Sequence, residues 1–335
     1  MPRFMIAFLA LAAAIVWAPT SRAETLKLAT LAPEGSPWYD VIVDIADSWK
    51  AESGGRITLR IYAGGVAGDD PDVIRKMRIG QLQAGALSGT GLAMITPEIQ
   101  ALQMPMMFSS YEELDYVRDR LAPKLEAITE AHGFKILNWA DVGWVRCFAR
   151  QPVIRPADLK PLKLFTWEGD PTYAEVIKQM GFQPVPMAAT DIYTGLQSGL
   201  INAVPTTPIA ALSFQWFGLA NHMTDIKWAP LVGGLVITTA AWRTVPDDLK
   251  PKLVRAAQEA AIRARDKIRP LEDKAVAAMQ THGLVVHKVP PDAIREWEAT
   301  GRDSYPYLVG KVVPAAMVAE VERLRDEYRA KKASR

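Results

Sequence analysis

From Trp144 to Pro208 the chain alternates short apolar strand runs with short helical runs, and Gly or Pro punctuates each one. Two side-chain periods in such quick succession admit few architectures, and they are the wiring of a small α/β lobe. The first third repeats the scheme. Leu26 to Leu31 is strand-like, and Ser36-Pro37 opens a helix with Trp38, Val41, Ile42, Ile45 and Trp49 at helical spacing. Ile57 to Tyr62 alternates as a half-exposed strand does, and Asp70-Pro71 opens a helix that buries Val73, Ile74 and Met77. Leu82 to Leu87 is the next strand, with Ser88-Gly-Thr-Gly91 read as a loop after it. This β-α-β-α-β order implies a parallel sheet covered by helices. At 335 residues the chain is long for one core, so two lobes are expected.

Further along, Met104-Pro-Met-Met-Phe108 reads as Met-rich core filler and Tyr111 to His132 as a helix. Lys135 to Ala140 is a strand that leads to a crossover near Val142–Trp144, and Phe214-Gln-Trp-Phe217 reads as helical. Gly233-Gly234 precedes a buried strand, Leu235 to Thr239, that returns across the hinge. Pro246 opens a long helix that Pro270 kinks, Leu284 to Val289 is a late strand, and Pro314 begins the last helix.

Residues 1–23 read as a signal peptide: Arg3, an uncharged apolar run from Phe4 to Trp17, and small residues in Ser21-Arg-Ala23 before cleavage. The run is short for a bilayer span and no later run reaches about 18 apolar residues, so the mature chain is expected not to span a membrane. The lone Cys147 has no partner for a disulfide, and an exported chain of this kind depends on its cores. Cys147 itself reads as a packed small hydrophobe. A net charge of +2, with no basic cluster among aromatics, gives no reason to expect nucleic acid.

Catalytic signatures are missing. The histidines, His132, His222, His282 and His287, stand at no metal-ligand spacing in the sequence, and His282 and His287 read as bracketing a strand. No Gly-x-Ser-x-Gly elbow occurs. Ser88-Gly-Thr-Gly91 lacks the Lys-Ser/Thr of a phosphate loop. Asp69-Asp70 and Asp247-Asp248 sit at helix starts, where the dipole accounts for them. Neither enzyme activity, nor cofactor, nor metal is expected. Open α/β sheets bind ligands at the carboxyl ends of their strands, which puts Ser88 and Thr90 at the mouth of a cleft.

Four segments, taken in order, resemble the solute-binding proteins of TRAP transporters, the DctP family. They are Gly64-Gly-Val-Ala-Gly-Asp-Asp70, Pro156-Ala-Asp-Leu-Lys-Pro-Leu-Lys-Leu164, Met180-Gly-Phe-Gln-Pro-Val-Pro-Met187 and Ile192-Tyr-Thr-Gly-Leu-Gln-Ser-Gly-Leu-Ile-Asn202. The resemblance implies a two-lobe periplasmic-binding-protein (Venus-flytrap) α/β fold, with crossing hinge strands and a long interdomain helix. Lobe I is expected over 24–143 plus about 233–275, and lobe II over 144–232 plus about 276–335. The same resemblance implies a monomeric periplasmic receptor that closes by hinge motion on a small organic solute. It would hand that solute to the small and large subunits of a membrane permease. The alternative is a binding fold recruited as a sensory co-receptor or exported enzyme.

Members of the family that bind carboxylates carry an Arg where this chain has Phe165, while a second family Arg matches Arg146. Thr207 stands where many have Asn. Losing a guanidinium removes a bidentate carboxylate partner. Phe165 and Trp167, two apart on a strand, point to one face, and Trp38, Trp144 and Trp216 are candidates for the same wall. Burying roughly 200–300 Å² of ligand carbon at about 25 cal/mol per Å² contributes roughly 5–8 kcal/mol. One charged hydrogen bond adds about 1.5–3 kcal/mol. An apolar or aromatic solute is therefore expected. Two alternatives stay open for Arg146. Either a ligand carboxylate meets it, or an internal one does, with Glu168 and Asp170 nearest in sequence.

Overall fold

The computed structural model describes residues 23–334; the signal peptide read over residues 1–23 lies, save Ala23, outside the described residues. Eleven strands are described: β1 Glu24–Thr30, β2 Ile57–Tyr62, β3 Ala84–Leu87, β4 Phe134–Trp144, β5 Arg146–Ala149, β6 Lys163–Trp167, β7 Gln183–Met187, β8 Ala203–Thr206, β9 His222–Asp225, β10 Pro230–Thr238 and β11 Val285–Lys288. They form two sheets, one per lobe. Lobe I has the order β2-β1-β3-β10-β4, and lobe II the order β11-β9-β5-β8-β6-β7.

The β-α-β-α-β opening does build parallel pairs, β1 with β2 and β1 with β3. The returning β10 then inserts antiparallel between β3 and β4. Local chemistry explains the first helix, Pro37–Glu52. The Ser36 side chain accepts from the Tyr39 N–H, Pro37 sits in the first turn, and Ile42, Ile45 and Trp49 are buried. The lobe I sheet carries a core on each face. Leu26, Trp49, Ile237 and Leu253 lie in one, and Val73, Leu102, Leu121 and Val236 in the other.

Two strand crossings, one broken helix and the segment leading into the last helix join the lobes. Val145 donates to the Ala229 carbonyl at 2.8 Å, and Trp228 donates to the Val145 carbonyl at 3.0 Å, so the two strand crossings are laced together at the hinge. The helix Lys250–Ile268 packs on the first helix and on β4 in lobe I, while Leu271–Gln280 packs on the lobe II helix Pro208–Ser213. The break falls at Arg269-Pro270, where proline has no N–H to give the ladder. Arg269 joins a buried ion cluster there, reaching Asp115 at 2.7 Å and Asp141 at 2.7 Å, and Arg118 reaches the same two carboxylates.

Several expectations are corrected. Ser88-Gly-Thr-Gly91 is not a loop; Ser88 caps the helix Gly89–Ile95, its hydroxyl accepting from the Gly91 N–H. The helix expected through Phe214–Phe217 stops at Ser213, because Gln215 takes a left-handed conformation at φ 57°. Gly233 and Gly234 lie inside β10 rather than before it: a Cβ at Gly233 would sit 2.6 Å from the Leu87 carbonyl oxygen and one at Gly234 2.7 Å from that of Asn138. The helix Pro291–Leu308 has no counterpart in the sequence reading. The final helix, Ala315–Ala333, was expected with lobe II. It packs instead on the lobe I helix Tyr111–Ala131, burying Met317, Val321 and Leu324 beside Leu114 and Leu121.

Candidate functional site

The carboxyl ends of β3 and β6 face one another across the gap between lobes, as the geometry of open α/β sheets dictates. Between them lies a cavity of about 500 Å³. Trp38, Ser88, Thr90 and Gln103 line it from lobe I. Arg146, Phe165, Thr166, Trp167, Tyr173 and Trp216 line it from lobe II.

Most of this wall is carbon. Phe165 and Trp167 meet edge-on, with ring centroids 5.9 Å apart. Trp216 stacks on Phe214 at 4.6 Å and 10°. Leu31 and Trp38 of lobe I pack against the lobe II cluster that holds Phe165, so the apolar surface is continuous across the gap. Phe165 therefore belongs both to the lobe II core and to the cavity wall. Trp38 is oriented by its indole N–H, which donates to the Asp141 carbonyl at 3.3 Å.

The polar groups of the cavity divide into those already engaged and those left over. Ser88 is engaged: its N–H and hydroxyl both donate to Asp70, at 3.0 and 2.5 Å. Asn138 is engaged on both sides, donating to the Ala257 carbonyl and accepting from the Leu235 N–H. Left over are Nε and Nη1 of Arg146, Nε2 of Gln103 and Oγ1 of Thr166, all buried without a hydrogen-bond partner. Buried polar groups in proteins are ordinarily paired, so a set of orphans inside one cavity points at a ligand.

Arg146 is 7 % exposed. Asp225 Oδ1 lies 3.8 Å from its Nε, close enough for attraction and too far for a hydrogen bond. Glu272, on the helix that crosses between lobes, also feels Arg146, but its Oε1 already accepts from the Trp144 N–H at 3.0 Å and from the Tyr111 hydroxyl. Burial raises the Glu272 carboxyl above its ordinary value despite these donors. The carboxylates nearest in sequence do not serve Arg146. Glu168 is exposed, and Asp170 caps the next helix by accepting from the Tyr173 N–H at 2.9 Å. The neighbours Asp225 and Glu272 temper the charge without occupying its donors.

The lobes are shut on this cavity. Asp69 of lobe I accepts from the Ala189 N–H of lobe II at 3.2 Å. A Cβ on Gly169 of lobe II would lie 2.6 Å from Pro71 of lobe I, and one on Gly65 of lobe I would lie 2.8 Å from Thr190 of lobe II. Only glycine permits these approaches.

Residues 28–310 match the family model described as bacterial extracellular solute-binding protein, family 7, DctP. The chain belongs to the DctP family. Its likeness to curated relatives covers most of its length. It is 26 % identical over 236 residues to the 2,3-diketo-L-gulonate-binding periplasmic protein YiaO of Escherichia coli, covering 69 % of this chain and 71 % of that one. It is 24 % identical over 250 residues to the C4-dicarboxylate-binding periplasmic protein DctP of Rhodobacter capsulatus, covering 73 % and 74 %. Among solved structures, a TRAP periplasmic solute-binding protein of Roseobacter denitrificans with bound β-D-glucuronate superposes with a TM-score of 0.79 at 21 % identity, covering 89 % of this chain and 99 % of that one. Another, from Sulfurospirillum deleyianum with bound succinate, gives 0.83 at 18 % identity, covering 90 % and 99 %. These likenesses show the two-lobe fold.

In this DctP-family chain the cavity brings together Arg146, Phe165, Trp167, Trp38, Trp216, Ser88 and Thr90 from the sequence expectation. Trp144 and Thr207 are not among its lining residues. Trp144 is 1 % exposed and packs on Tyr111, centroids 5.5 Å apart. Thr207 is fully buried and caps the helix Pro208–Ser213, its hydroxyl accepting from the Ala210 N–H. Its neighbour Thr206 lines the cavity in its place. Gln103, Thr166 and Tyr173 escaped the sequence reading. Cys147 also borders the cavity, and burial pushes its thiol up to about 12, so it is an inert hydrophobe. Among the described residues no helix is long and apolar enough to cross a membrane.

Proposed function

We propose that this protein is the periplasmic receptor of a TRAP-type secondary transporter, and that it carries an organic monocarboxylate with a largely apolar or aromatic body to the permease. Family membership supports the receptor part, together with relatives that are named periplasmic and TRAP solute-binding proteins. The observation that carries the ligand class is Arg146, a buried guanidinium with two donors unused at the edge of an aromatic cavity. Asp225 at 3.8 Å attracts this charge without hydrogen-bonding it, and buried charged donors left without hydrogen bonds carry a desolvation cost that a ligand carboxylate would offset.

The rest of the ligand follows from the rest of the wall. By the resemblance, Phe165 stands where carboxylate binders of the family carry their usual Arg and Arg146 matches the second one, so one anionic group is matched and another is not. Gln103 and Thr166 offer one or two further hydrogen bonds, suited to a keto or hydroxyl oxygen. Phe165, Trp167, Trp38 and Trp216 take the carbon. Relatives hold β-D-glucuronate and succinate, which also bear carboxylates.

A thermal-shift screen tests this reading. Aromatic and branched monocarboxylates are expected to raise the melting temperature more than succinate, malate or glucuronate. Strongest stabilisation by a dicarboxylate overturns the ligand class and leaves the receptor role standing.

A further inference from the structure

We propose that His222 and His287 form a chelating site for a divalent transition-metal ion, of the copper or nickel type, at the edge of the lobe II sheet. The sequence places these residues 65 apart, with no metal-ligand spacing between them. The fold reverses that expectation. β11 pairs parallel with β9, Val285 opposite His222 and His287 opposite Thr224. His222 and His287 are therefore diagonal neighbours on one face of the two-stranded edge. Nδ1 of His222 lies 2.8 Å from Nε2 of His287, and with ring planes inclined at 26° and centroids 5.0 Å apart the two nitrogens point at one another. Both side chains are half-buried, held by the sheet and still open to water.

That spacing selects among metals. Two nitrogens 2.8 Å apart, each about 2.0 Å from one ion, subtend roughly 90° at it, once each ring turns by about 45° to aim its lone pair at the ion instead of at the other nitrogen. Cis positions of a square-planar or octahedral ion need this angle, as Cu(II) and Ni(II) do. Tetrahedral zinc needs nitrogens about 3.3 Å apart, further from the present spacing than the cis arrangement. The usual order of divalent affinities also puts copper above nickel and zinc. Without metal, the two rings share one proton in an N–H···N bond, and an ion would displace it. Among the described residues no group of three or more metal-ligating side chains occurs, so water completes the shell and the site is a two-ligand one. An ion there would tie β11, which pairs with β9 alone, to the rest of the lobe.

The test is calorimetric titration of the tag-free mature chain with copper, nickel and zinc salts at pH 7.5. Expected is one ion per chain, with affinity falling from copper to nickel to zinc. Chelation is lost with either ligand, so His222→Ala and His287→Ala should each weaken copper binding about 100-fold. His282→Ala, at an exposed helix end, should not change it. Circular dichroism checks that the variants fold, and the paramagnetic resonance of bound copper should show two nitrogen ligands that drop to one in each variant. No copper binding by the parent chain, or binding that persists in the double variant, overturns the proposal. Zinc bound more tightly than nickel overturns the assignment of geometry.

Discussion

Asp69 and Ala189, on opposite lobes, are joined by a 3.2 Å hydrogen bond from the Ala189 N–H to the Asp69 carboxylate. It bridges the gap between the lobes, so opening them would break it. A hydrogen bond to a charged acceptor contributes about 1.5–3 kcal/mol, so closure is weakened when it goes. Asp69→Ala is expected to lower ligand affinity about 10-fold or more while leaving the melting temperature of the free protein nearly unchanged. Titration calorimetry and thermal unfolding measure the two. A large drop in melting temperature with unaltered affinity would place Asp69 in lobe I stability instead.

Gly169 makes the same point sterically. A Cβ there meets Pro71 at 2.6 Å and Met94 at 2.9 Å, both across the gap. Gly169→Ala should leave each lobe intact and hold the lobes ajar, reducing affinity while small-angle scattering shows a larger radius of gyration with ligand present. A variant that compacts on ligand addition as the parent does would contradict this.

Asp70 shows what burial costs. Burial, the largest influence, pushes its carboxyl up to about 6, against the donors of Ser88 that pull it down. A carboxyl raised on folding contributes stability below its unfolded value near 4, and that contribution fades as pH rises through 6. Asp70→Asn removes the titration. The melting temperature of the variant relative to the parent should therefore climb between pH 4 and pH 7. A difference that stays flat over that window would mean the carboxyl is not raised.

The ion cluster at the helix break holds the hinge. Asp141 is 6 % exposed and is met by both Arg118 and Arg269. Removing one partner from a buried cluster leaves charge uncompensated and costs about 3–5 kcal/mol. Asp141→Ala should lose that much in urea unfolding, and a loss under 1 kcal/mol would show that water reaches the cluster.

The sequence made the fold readable where one local rule decided the outcome. Ser36-Pro37 with Ile42, Ile45 and Trp49 is a capped amphipathic helix whatever surrounds it. The parallel order of β1, β2 and β3 followed from alternating periods. Reading failed where tertiary partners decide. Nothing local says that Ala315–Ala333 crosses back to lobe I; Glu113 and Arg329 pair there, 216 residues apart. At the site, Phe165 and Trp167 reach the cavity wall together because β6 carries them on one face, while Arg146, on β5, was picked out only by the family resemblance. Thr207 misled, although Thr207-Pro208 is itself a helix-start signature that uses up the hydroxyl. Gln103 left no signal, being one amide in an apolar turn that only the returning β10 makes into a wall.

Arg146→Met separates the two roles of the cation. Losing a buried charge partner should cost a carboxylate ligand about 2–5 kcal/mol, or roughly 30- to 5000-fold in affinity. The free protein should become more stable, because a buried cation with donors that lack hydrogen bonds is replaced by an apolar chain of similar size. Weaker binding together with a lower melting temperature would make Arg146 a structural residue.

The most direct test of the cavity as a carbon-gripping site in which Arg146 is the cation with donors left over is calorimetry along straight-chain monocarboxylates of increasing length. Each buried CH₂ contributes about 0.8 kcal/mol, so affinity should rise about 4-fold per carbon until the cavity fills. Each acid should bind more tightly than the dicarboxylate of equal length. A flat series, or tighter binding of the dicarboxylates, would contradict the account.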